Sequence, residues 1–86
     1  MKFNPKRRAE TVKKVETEYG EILLDESSGA YLQLNESASR IYSVLSAGKS
    51  AEEAARDLVD HYGINSVQAS ADARQLEKAL RERGLL

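Results

Sequence analysis

From Val12 to Leu34 apolar and polar residues tend to alternate; after Asn35 the apolar ones recur every three or four positions. The first pattern predicts strands and the second predicts helices. "TVKKVE" (Thr11–Glu16) sets Val12 and Val15 near its two ends and predicts a first strand, and "TEYG" supplies the turn after it. "EILLDE" puts Ile22 and Leu24 on one face and Leu23 and Asp25 on the other. "SSG" makes a short loop in which Gly29 suits a left-handed backbone. "AYLQL" then puts Ala30, Leu32 and Leu34 on one face and Tyr31 and Gln33 on the other. Three strands with short connections form an antiparallel meander whose third strand lies at an edge.

Asn35 is placed to cap a first helix, with Glu36 favouring its dipole; Ala38, Ile41, Tyr42 and Leu45 form its apolar stripe, and Gly48 ends the run. Ser50 and Glu53 have the spacing of a capping box. The second helix buries Ala54, Ala55, Leu58, Val59 and Tyr62 and stops at Gly63. A third helix, opened by Asn65 or Ser66, carries Ala69, Ala73, Leu76 and Leu80 on its inner face. Gly84 closes it, and Leu85 and Leu86 fold back on the core. The fold class predicted is α+β, three strands followed by three helices.

Composition narrows the reading. The chain has 86 residues, enough for one domain, and no cysteine, so disulfides and thiolate chemistry are excluded. Six of its 13 basic residues fall in the first 14 positions against the single acid Glu10; from Val15 onward seven basic residues face 13 acidic ones, a net of −6. Residues 1–10 therefore read as a basic, flexible arm on an acidic domain spanning 11–86. No apolar run reaches bilayer length, and "MKFNPKRRAE" leads into no apolar signal segment, so a cytoplasmic protein with no membrane partner is expected.

Catalytic groups are hard to assemble from this chain. His61 is the sole histidine and sits near a helix end. Glu52, Glu53, Asp57 and Asp60, with Arg56 among them, read as a solvated helix face. Ser27, Ser28, Ser37 and Ser39 have no base nearby in sequence, and no glycine cluster forms a phosphate loop. No enzyme activity, cofactor or metal is expected.

Two binding functions compete. The second and third helices resemble a helix-turn-helix, and strands beside such a pair suggest a winged helix. A DNA reader, however, concentrates Lys and Arg on its recognition helix, because phosphate contacts supply much of the affinity. Here "NSVQASAD" has no basic residue and ends in Asp72, so a nucleic-acid partner is disfavoured. The alternative is peptide binding by strand addition: "AYLQL" offers unpaired N–H and C=O groups, and Val67, Ala69, Ala71 and Ala73 would wall a groove opposite it. On this reading Leu32→Pro removes a backbone donor from the edge.

The stretch "ILLDESSGAYLQLNESASRIYSVLSAGKSAEEAARDLVDHYGI", followed by "DARQLEKALRERGLL", resembles the PqqD-like peptide-recognition proteins. The shared pattern is Leu24-Asp25, Gly29, Tyr31, Leu34-Asn35, Ile41, Leu45, Glu53, Leu58, Tyr62, Asp72 and Gly84-Leu85-Leu86. The resemblance implies a winged helix-turn-helix-like recognition element for ribosomally made precursor peptides, whose leader segment pairs antiparallel with the third strand against the third helix. Among stand-alone members the chain is most similar to those of lasso-peptide biosynthesis. Their partners are the precursor leader peptide, a leader peptidase and an ATP-dependent macrolactam synthetase. The family's alternative implication is a peptide chaperone for a radical SAM enzyme. Carried onto this chain, the site comprises Ala30, Tyr31, Leu32, Gln33 and Leu34 on the strand and Val67, Ala71, Asp72, Gln75 and Leu76 on the helix. Glu77 departs from the pattern, at a position where members are often apolar.

Overall fold

The computed structural model describes residues 11–86, so the basic arm expected at 1–10 lies outside the described residues. Three strands, β1 (Val12–Thr17), β2 (Gly20–Asp25) and β3 (Tyr31–Leu34), precede three helices, α1 (Glu36–Ser46), α2 (Ala51–Tyr62) and α3 (Ser66–Glu82). This is the α+β order expected, with β1 displaced by one residue because Thr17 still pairs with Gly20. The sheet is antiparallel in the order β1-β2-β3.

The register decides the two faces. Leu23 stands opposite Lys14 on β1 and Leu32 on β3, so these three share the inner face. Leu23 and Leu34 are fully buried there, while Val15 and Tyr31, on the outer face, are 49% and 66% exposed. The three helices α1, α2 and α3 pack on the inner face. Their buried stripe consists of Ile41 and Leu45 from α1, Ala54, Ala55 and Leu58 from α2, and Ala69, Ala73 and Leu80 from α3, closed by Leu85. Each fully buried leucine contributes about 2 kcal/mol of transfer free energy. The small residues on α2 and α3 let those two helices approach each other closely.

Helix ends follow the chemistry of their caps. Asn35 Oδ1 accepts from the Ala38 N–H at 2.9 Å. Ser50 and Glu53 form a complete capping box. Asn65 Oδ1 accepts from the N–H groups of Val67 and Gln68, at 2.7 and 3.3 Å. Two sequence expectations are corrected. Tyr62 is 37% exposed, because it is the last residue of α2 and its ring lies at the helix end, edge-on to His61. Asp57 is no bystander on a solvated face: its carboxylate accepts two hydrogen bonds from Arg40, both 2.9 Å, which ties α2 to α1.

Asp25 organises the β2–β3 connection. It is buried, and its carboxylate accepts from the hydroxyls of Ser27 and Ser28, both at 2.9 Å, and from the Ser27 N–H at 3.1 Å. Hydrogen bonds from the Thr11, Ser28 and Ser27 side chains hold its pKa at about 2, against an ordinary 3.8. Gly20 has a different role. Its φ is +123°, and a Cβ there would strike the carbonyl oxygen of Leu34, a backbone atom that cannot swing aside.

Two outcomes are expected. Gly20→Ala destabilises the fold by about 2 kcal/mol or more, from strain plus the clash, whereas Gly29→Ala, with open space around it, loses only about 1 kcal/mol; urea unfolding compares them. Because the folded pKa of Asp25 is depressed, its stabilisation is present above about pH 4 and is lost as pH falls through about 2. Asp25→Asn is therefore less stable than the parent at neutral pH and loses less on acidification, read from unfolding midpoints at both pH values.

Candidate peptide-binding groove

The site begins with backbone geometry. Asp25 donates its N–H to the Ala30 carbonyl at 2.8 Å, and Glu26 donates to Thr11 at 3.0 Å. In an antiparallel ladder, hydrogen-bonded pairs alternate with pairs whose backbone groups point away from each other. With the observed register, Ala30, Leu32 and Leu34 turn their N–H and C=O groups toward β2, and Tyr31 and Gln33 turn theirs to the open edge. The other edge of the sheet is β1. Its flanking lysines are paired, Lys13 with Glu26 at 3.4 Å and Lys14 with Glu21 at 3.5 Å, and edge lysines discourage strand pairing.

The β3 edge faces a cleft. β3 and α3 are not among the closely packed element pairs; the first turns of α1 lie between them as a floor. Leu32 from β3, Asn35, Ser37, Ala38 and Ile41 from the start of α1, and Asp72, Gln75, Leu76 and Ala79 from α3 line a cleft of about 340 Å³. The α3 residues recur at i, i+3, i+4 and i+7, which is one face of a helix. Its apolar floor and polar lip suit a peptide that buries alternate side chains while its backbone pairs with the strand.

A second chamber of about 610 Å³ shares Asn35, Ser37 and Asp72 with the first. Leu58, Tyr62 and Ile64 supply its apolar walls, and Glu36 and Gln68 complete its rim. Gln68 Nε2 donates to Asp72 Oδ1 at 2.8 Å. Burial, followed by the nearby Glu36 carboxylate, raises the pKa of the Tyr62 hydroxyl. The described residues contain no group of three or more His, Cys, Asp or Glu side chains placed to hold a metal, and no helix among them is long and apolar enough to cross a membrane.

Comparison with known proteins defines the lineage. The family described as coenzyme PQQ synthesis protein D (PqqD) matches residues 20–86. The chain belongs to the PqqD family. Two solved structures of this family's fold align over most of their lengths. One, titled lasso peptide synthetase B1 complexed with the leader peptide, is 35% identical with a TM-score of 0.74, covering 86% of this chain and 87% of that one. The other, TbiB1 in complex with the TbiA(beta) leader peptide, is 29% identical with a TM-score of 0.74 and covers 88% of each chain. No curated protein matches the chain.

The structure brings Leu32, Asp72, Gln75 and Leu76 together around one cleft. Tyr31 and Gln33 contribute outward backbone groups, Leu34 is wholly buried, and Ala30 is half-buried where β3 begins. Ala71 and Val67 are exposed and do not line the cleft. Ala69 and Ala73 are fully buried in the core, so they do not form the cleft wall expected of them. Glu77 is paired with Arg81 at 3.3 Å on another face of α3, so its departure from the family pattern leaves the cleft unaltered. Sequence reasoning missed the floor. Ala38 and Ile41 read as an ordinary apolar stripe and Ser37 as a serine with no base nearby, and nothing in a periodicity separates residues under a cleft from residues under another helix. Leu32 also changes role, since its N–H faces β2: proline there breaks the internal ladder, while proline at Gln33 removes an outward donor.

Proposed function

We propose that this protein binds the leader segment of a ribosomally synthesised precursor peptide by adding it as a fourth strand to the β3 edge. The observation that carries the reading is the outward-facing backbone of Tyr31 and Gln33 opposite α3, across a cleft with an apolar floor. The two solved relatives are both complexes with leader peptides, which supports it. The leader runs antiparallel to β3, its backbone bonded to Tyr31 and Gln33, with alternate side chains entering the cleft between Leu32 and Asp72, Gln75 and Leu76. Val67 and Ala71 flank the path of the chain as it leaves the cleft.

The protein performs no chemistry in this reading. It presents the leader to a leader peptidase and an ATP-dependent macrolactam synthetase of lasso-peptide biosynthesis, in the cytoplasm. A disordered leader loses conformational freedom on binding, and a preformed edge offsets part of that loss. Holding the substrate beside an enzyme raises its local concentration toward the mM range of short tethers. The 35% identity to a lasso-pathway protein favours this over service to a radical enzyme.

The test uses fluorescence polarisation with the labelled leader of the precursor encoded in the same gene neighbourhood. Gln33→Pro keeps the fold by circular dichroism and weakens binding at least about tenfold, from one lost backbone bond and its displaced neighbours. Leu32→Pro instead destabilises the domain itself. Glu52→Ala, on the exposed face of α2, leaves affinity unchanged. A folded Gln33→Pro protein that binds like the parent places the site away from β3.

A further inference from the structure

The second chamber has a chemistry that strand pairing does not use. Its walls, Leu58, Tyr62 and Ile64, are apolar, and its rim carries two carboxylates, Glu36 and Asp72. Neither carboxylate forms an ion pair among the described residues: Asp72 accepts from the neutral amide of Gln68, and Glu36 accepts from the Tyr62 hydroxyl and feels Arg40 only at a distance, the Arg40 guanidinium being paired with Asp57. The chamber adjoins the cleft beside β3, the two sharing Asn35, Ser37 and Asp72 in their linings. A peptide paired along β3 and continuing past Leu34 therefore enters it.

We infer that this chamber takes a lysine or arginine side chain of the bound peptide, an inference that rests on the strand-addition reading. These side chains alone combine a long aliphatic stem with a cationic head. The stem packs on Leu58 and Ile64, the face of Tyr62 attracts the cation, and Glu36 and Asp72 neutralise it. An acidic side chain is repelled from this rim, and a purely apolar one leaves both carboxylates partly desolvated with nothing in return. The net of −6 from Val15 onward adds a long-range pull on a cationic segment.

The experiment selects a displayed library of random peptides, long enough to span both chambers, on the parent protein and on the Glu36→Gln/Asp72→Asn double variant. Peptides selected by the parent and released by Gln33→Pro carry Lys or Arg at a fixed offset from their paired stretch. In one such peptide, replacing that cation by Gln weakens binding to the parent about fivefold, the size of one or two partly exposed ion pairs, and to the double variant less than about twofold. Selected peptides that depend on Gln33 but show no cationic preference, or keep it against the double variant, overturn the inference and leave strand addition standing. If no selected peptide depends on Gln33, both fall.

Discussion

In an antiparallel ladder each residue turns both backbone groups to the same side, so the pairing of Leu32 with Leu23 commits Tyr31 and Gln33 to the opposite side. The rest of the binding geometry depends on that alternation. A slip of one residue would turn Tyr31 and Gln33 toward β2 and carry Leu32 and Leu34 from the core to solvent. The wholly buried side chains of Leu23 and Leu34 oppose such a slip. Hydrophobic burial on the inner face thus fixes which amides are offered at the edge.

The cleft exists because the elements flanking it are held apart by a third. α1 starts directly after β3, its first turn capped by Asn35, and its stripe of Ala38 and Ile41 fills the space that β3 and α3 would otherwise close. Gly20 permits this exit, since any side chain there would push against the last carbonyl of β3. Arg40 and Asp57 fasten α1 to α2, and α2 packs on α3, so the floor and the far wall belong to one rigid layer. Such preorganisation lowers the entropy lost when a flexible peptide is captured.

Much of this was readable from local signals. The caps at Asn35, Ser50 and Asn65 and the left-handed glycines at 29, 63 and 84 mark element ends through chemistry that acts within a few residues. The edge position of β3 followed from the length of its connections. Less legible were features that depend on how elements meet. The direction of each β3 amide requires the register, which is why Leu32 looked like an outward donor. The Arg40–Asp57 pair spans 17 positions, and neither periodicity nor capping links the two. The second chamber joins the start of α1, the end of α2 and the middle of α3, places that no local pattern brings together.

Amide hydrogen exchange, followed residue by residue by NMR, tests most directly whether β3 is a fixed edge waiting for a strand. Outward amides exchange quickly in the free protein, while those in the internal ladder exchange only when the sheet opens. Added leader should slow exchange selectively at Tyr31 and Gln33, with Leu32 and Leu34 slow throughout. New protection confined to the outward amides of β1, with Tyr31 and Gln33 still exchanging freely in the saturated complex, would contradict the account.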